Sequence, residues 1–181
     1  IARVGYGLDM YQKTAIALTH VNETLEIKPK IVGGHLTTNS TLIQGEISFN
    51  NVSFGYEPRH PVLKHLNLWM PPKKVIGIVG LTGAGKSTII KLLMRFYDAQ
   101  EGEITLDGKN IKDYPLQTLR ESMAFVSQNV TLFAGTIFEN IAYGKRDATL
   151  EEVINAAKIA EAHDFIMSLP DGYLSEVGER G

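Results

Sequence analysis

The stretch VIGIVGLTGAGKSTIIKLLMRFY, residues 75–97, constrains the fold more than any other part of the chain. Within it, Gly80 to Ser87 fits G-x-x-x-x-G-K-[ST] without a mismatch. Gly80, Gly83 and Gly85 permit backbone angles that other residues avoid, so successive N–H groups can converge on one anion. VIGIV ahead of the glycines reads as a short strand buried on both faces. Behind them, Ile89, Ile90, Leu92, Leu93 and Phe96 recur at helical spacing. Such a helix directs its positive dipole end at the same anion. Lys86 adds a mobile charge for β- and γ-phosphates, and the Ser87 hydroxyl suits Mg²⁺. Together these features imply a strand–loop–helix unit that holds a nucleoside triphosphate.

The bulk properties set limits around that unit. A net charge of −2 gives no reason to expect a nucleic-acid partner. With no cysteine, neither a disulfide framework nor a thiolate metal site is available. No apolar run reaches the ~18–20 residues that span a bilayer, and no charged-then-apolar leader is seen. The first residue is Ile1 rather than Met, so a preceding part is expected.

Along the chain, Leu8, Tyr11, Ala15, Leu18, Val21 and Leu25 predict a helix over 8–27. It either packs on its own domain or arrives from elsewhere. KPKIVGGHLTTNSTLIQG then reads as a linker. GEISFNNVSFGY predicts a strand with a bulge at Asn50-Asn51, and VLKHLNLWM a second strand that ends at Pro71-Pro72. EGEITLDGKNI predicts a strand and an Asp107-Gly108 turn, and ESMAFVSQ another short strand. TIFENIAYG, EEVINAAKIAEA and HDFIMSLP read as helices, the middle one opened by a Thr149/Glu152 capping box. The order is mixed α/β.

The elements around the phosphate loop resemble ATP-binding-cassette proteins, in particular exporters whose membrane and nucleotide domains share one chain. ISFNNVSFGYEPRHPVLKHLNL is similar to the opening β segment of that family, FVSQNVTLFAGTIFENIAYG to its glutamine loop and the exporter-type run that follows, and LSEVGERG to an exporter loop. The implied fold is a P-loop NTPase core of the cassette type, with an antiparallel β subdomain and a partial helical subdomain, C-terminally incomplete. Residues 1–27 then stand for the cytoplasmic end of a last transmembrane helix, 28–44 for a linker, and 45–181 for the N-terminal part of the nucleotide-binding domain. One small departure is the PPKK turn before the P-loop strand, where the family often has Gly; no functional consequence is expected.

The resemblance implies ATP and Mg²⁺ as ligands. It assigns nucleotide contacts to Tyr56, Val62, Gly80, Thr82, Gly83, Ala84, Gly85, Lys86, Ser87 and Thr88, with Tyr56 stacking on adenine. Such a stack is worth ~1–3 kcal/mol and is indifferent to base identity. It assigns metal contacts to Ser87 and Gln128, and catalytic roles to Lys86 and Gln128. Implied partners are a second nucleotide-binding domain, identical or not, and the coupling helices of a transmembrane domain. Those helices would meet the Gln128 loop and residues 174–181, with Glu176, Glu179 and Arg180 as contact charges. The implied location is the cytoplasmic face of a bacterial cell membrane, within an integral membrane protein.

The family signature LSGGQ is expected after Gly181, and no four apolar residues followed by Asp-Glu occur in the chain. None of the five histidines matches the family's switch position. Hydrolysis needs a held metal, an oriented water and charge stabilisation in the transition state. The chain by itself is therefore expected to be inactive. Two alternatives stand beside the exporter: a non-transport cassette ATPase, and a catalytically silent half of a heterodimeric transporter.

Overall fold

The computed structural model describes residues 2–37, 43–57, 59–145 and 147–178, arranged as two compact units, Ile1–Ala124 and Phe125–Gly181.

The first unit opens with helix α1, Ala2–Leu25. The side chains of Thr14, Thr19 and Thr24 each donate to the carbonyl four residues back, at 2.8–3.0 Å, which satisfies their hydroxyls without leaving the helix. Its apolar residues Tyr11, Leu18, Val21 and Leu25 are exposed, so the predicted stripe is present but uncovered. No helix among the described residues is long and apolar enough to cross a membrane.

Strands β1 (Ile47–Phe54), β2 (Leu63–Met70), β3 (Glu101–Leu106) and β4 (Lys109–Asn110) form an antiparallel sheet in the order β2-β1-β3-β4. The expected bulge is in place: the β1–β3 register shifts between Asn50 and Ser53, with Asn51 at φ 53°. Opposite it, Gly102 lies at φ 75°, and a Cβ there would stand 2.3 Å from the Asn51 carbonyl oxygen. Only glycine accepts both that angle and that approach.

Helix α2 (Lys86–Leu93) lays Ile89 and Leu92 on this sheet. There they join Phe49, Val52, Phe54, Leu63, Ile104 and Leu106 in one core, which Ile111, Tyr114 and Leu119 of α3 (Leu116–Glu121) extend. Full burial of side chains of this size stabilises by about 1.5–3 kcal/mol each.

Two expected strands are absent. VIGIV and ESMAFVSQ carry no strand among the described residues. A strand exists through its ladder, and among the described residues neither segment pairs in one; Glu121 ends α3, and the Ser122 and Met123 amides bond back to it at Thr118 and Arg120. Val79 is 93% exposed, where a strand buried on both faces was expected, and Val126 of the second segment is 88% exposed.

The second unit pairs β5 (Gly135–Thr136) with β6 (Glu176–Val177) beside three helices, α4 (Ile137–Ala142), α5 (Leu150–Ile159) and α6 (His163–Met167). Val153, Ala157, Ile166 and Tyr173 make its core. Thr149 and Glu152 form the predicted capping box on α5. Thr136 and Glu139 form a second one on α4, which T-x-x-E at 136–139 also signals.

Candidate functional site

Residues 80–88 turn from the extended segment into α2. Gly83 and Gly85 hold left-handed angles, φ 83° and 87°, whereas Gly80 does not, so the need for glycine freedom rests on two of the three. Gly85 is also tightly enclosed: a Cβ there would stand 2.8 Å from Leu63 Cδ2 and 3.3 Å from Val62 Cγ1. Val62, itself anchored by its amide to the Phe54 carbonyl at 2.8 Å, thus packs directly behind the turn.

Gly85 is the N-cap of α2 and no side chain caps the helix. The amides of Lys86 and Ser87 have no intramolecular acceptor among the described residues. Such a terminus is a ready anion site. Lys86 Nζ reaches back over the loop and donates to the carbonyls of Gly80 and Leu81 at 2.8 and 2.7 Å. The ammonium is therefore held against the carbonyls of its own loop. Thr82 and Ala84 are exposed on the loop, and the Ala84 amide closes a turn onto the Leu81 carbonyl at 3.1 Å. Thr88 is buried in the first turn of α2. A free amide pair, a cation and a hydroxyl at one helix start fit a metal-bound polyphosphate.

Tyr56, in the loop after β1, rests against the same helix. Its hydroxyl is 3.2 Å from Thr88 Oγ1, and its ring meets Phe54 and Tyr97 edge-on, each at 5.2 Å between centroids. Lys91 Nζ stands over the ring, 5.3 Å from its centroid. Tyr56 remains 45% exposed, as an aromatic platform requires. The sequence reading missed Tyr97 and Lys91. The signal for Lys91 was its place three residues past Thr88, on the same helical face.

Gln128 belongs to the second unit and is exposed, in a loop with no regular structure that lines an open hollow of about 900 Å³ between Gln128 and Ala134. Glu176 lies in β6 and is exposed. Glu179 and Arg180 lie outside the described residues. Both capping carboxylates titrate low: Thr136, chiefly through its backbone amide, holds Glu139 below the ordinary range, and Lys145, then the Thr149 amide, holds Glu152 below it. Among the described residues no three His, Cys, Asp or Glu gather as metal ligands.

The family model of the ABC transporter matches residues 63–180. Over 170 residues the chain is 45% identical to the heavy metal tolerance protein of Schizosaccharomyces pombe, which covers 94% of this chain and 20% of that protein. It is 45% identical over 174 residues to the mitochondrial iron-sulfur clusters transporter atm1 of Neurospora crassa, covering 96% and 23%. With the putative multidrug export ATP-binding/permease protein YgaD of Bacillus subtilis it shares 49% over 140 residues, covering 77% and 24%. The chain thus spans about a fifth to a quarter of the length of these curated relatives. A solved bacterial Atm1-family ABC exporter with ATP bound superposes with a TM-score of 0.80 at 36% identity, over 93% of this chain and 30% of that one. With the phosphate-loop turn, the bulged antiparallel sheet and the family match over 63–180 in agreement, the chain belongs to the ABC transporter family.

Proposed function

We propose that this chain is the ATP-binding part of an ATP-driven membrane exporter. The observation that carries the reading is the meeting of two features at α2: the free amides and Lys86 at its start, and Tyr56, whose hydroxyl bonds that of Thr88 one residue after Ser87. One holds phosphates and the other presents a flat face to a base. Their common helix sets the spacing between them.

Mg²⁺, when bound with the nucleotide, would supply charge neutralisation of the phosphates. Within the chain, Ser87 offers the metal a hydroxyl, Lys86 exchanges its loop carbonyls for phosphate oxygens, and Gly83 and Gly85 aim the amides. Gln128 is assigned to the metal through the resemblance of its loop alone. Hydrolysis requires a water-activating carboxylate and an opposing signature loop, so residues 1–181 bind MgATP without turning it over. In the whole exporter, two such domains close on two ATP molecules and move attached membrane helices.

The test is titration of a fluorescent ATP analogue into wild type, Tyr56→Ala and Lys86→Ala. Weaker binding in both variants is expected. Equal affinity in all three refutes the assignment. Multiple-turnover ATPase from residues 1–181 that Lys86→Ala abolishes would overturn the claim that the chain is inactive.

A further inference from the structure

Arg95, two residues past the end of α2, is the largest fully buried side chain among the described residues, 2% exposed, with its backbone at φ 48°. A guanidinium is costly to bury unless its donors are met. Here they are met by three separate stretches of chain. Asp98 accepts from Nε at 3.1 Å and from Nη2 at 3.4 Å. The carbonyls of Ile111 and Lys112 accept from Nη1, both at 3.4 Å. The carbonyl of Val32 accepts from Nη2 at 3.0 Å.

Val32 belongs to the segment that leaves α1. The sequence reads this segment as a linker, yet residues 32–36 are docked. The Gly34 amide donates to the Tyr114 carbonyl and the Leu36 amide to the Asp113 carbonyl, both at 2.9 Å. The glycine pair serves close approach rather than slack, because a Cβ on Gly34 would stand 2.1 Å from the Asp113 oxygen. Further along, the Asp107 carboxylate accepts from the amides of Gln44, Gly45 and Glu46 at 2.7–3.0 Å. The stretch from α1 to β1 is therefore held to the sheet unit at both of its described ends.

An apolar side chain could fill the Arg95 site, but it could not bond three stretches at once. Arg95 follows directly on the helix whose first turn carries Lys86 and Ser87. An eight-residue helix is about 12 Å long, short enough to move as one piece.

We propose that Arg95 is a positioning residue that couples the phosphate cradle to the 32–36 segment, so that nucleotide at the start of α2 tightens the docking of the chain that arrives from α1. The proposal rests on the ATP-binding reading above. By linkage the effect is reciprocal: loosening 32–36 weakens the nucleotide's grip by the factor that nucleotide tightens 32–36.

The test is hydrogen exchange at the Gly34 and Leu36 amides of the intact protein, with and without saturating MgATP, beside nucleotide titrations. In wild type, MgATP slows exchange at both. Arg95→Lys keeps the charge near Asp98 but loses the fork, so both amides exchange about tenfold faster without nucleotide. MgATP then no longer slows them, while its affinity falls only by the coupling factor. Gly34→Ala approaches from the other side with Arg95 intact, and has the same effect on Leu36. Exchange that MgATP slows equally in wild type and Arg95→Lys overturns the proposal, as does exchange in wild type that bound MgATP leaves unchanged. A wild-type protein that binds no ATP refutes the nucleotide reading instead; the clasp then rests on the nucleotide-free rates, and equal rates in wild type and Arg95→Lys overturn it.

Discussion

Tyr56 and Thr88 meet hydroxyl to hydroxyl at 3.2 Å, a bond that joins the loop after β1 to the first turn of α2. It sets the ring's position without using its π-face. Tyr56→Phe therefore keeps the platform and loses one bond, with affinity for ATP falling no more than about tenfold. Tyr56→Ala loses the stack, about 1–3 kcal/mol. Titration with ATP and GTP should show the same loss for both, because stacking does not read the base.

Gly83 and Gly85 separate angular strain from crowding. Both hold positive φ, but only Gly85 has neighbours against a new Cβ. Gly83→Ala should destabilise by about 1–2 kcal/mol through the left-handed angle alone. Gly85→Ala adds the clash with Leu63 Cδ2 at 2.8 Å and should melt at a clearly lower temperature. Equal melting temperatures for the two variants would remove crowding as the cause.

Tyr114 predicts an alkaline limit on stability. Its hydroxyl donates to the Leu106 carbonyl at 2.8 Å, and burial first, then the Asp107 charge, raises its pKa above the ordinary tyrosine value. A pKa raised by folding stabilises fully below the unfolded value and loses that contribution as pH rises through the folded one. Denaturant melts from neutral to strongly alkaline pH should show a loss of stability that Tyr114→Phe reduces. At neutral pH that variant costs about 1 kcal/mol for the lost bond.

Acid acts on the second unit through its capping boxes. Folding lowers the pKa of Glu139 and Glu152, so their contribution is present above the ordinary glutamate range and disappears as pH falls through their folded values. Glutamine keeps the capping geometry without a titrating group. Glu139→Gln and Glu152→Gln should therefore flatten the acid dependence of helicity, followed by circular dichroism, while both helices persist at neutral pH.

Local chemistry was well written in the sequence. The bulge at Asn50-Asn51, the Asp107-Gly108 turn, the Thr149/Glu152 box and the glycine turn before α2 all depend on residues within a few positions of one another. The strands at VIGIV and ESMAFVSQ were misread because apolar character alone does not supply a ladder partner. The docking of residues 32–36 within the 28–44 linker was not legible, for the opposite reason. Gly33-Gly34 looks like slack, but its meaning depends on the turn at Asp113–Tyr114, some eighty positions away, which no local pattern displays. Arg95 was invisible for the same cause, since three of its acceptors are backbone carbonyls.

The exposed VIGIV arm also bears on calorimetry. Heat-capacity change and denaturant sensitivity both scale with the surface newly wetted on unfolding. Val75 and Val79 already face water in the folded chain, so they add almost nothing to either quantity. These two valines beside the phosphate loop are thus nearly silent in a melt, whereas Ile78 between them packs against the core. A partner chain or segment that covers them would reveal itself as a larger heat-capacity step before any change in the loop is seen.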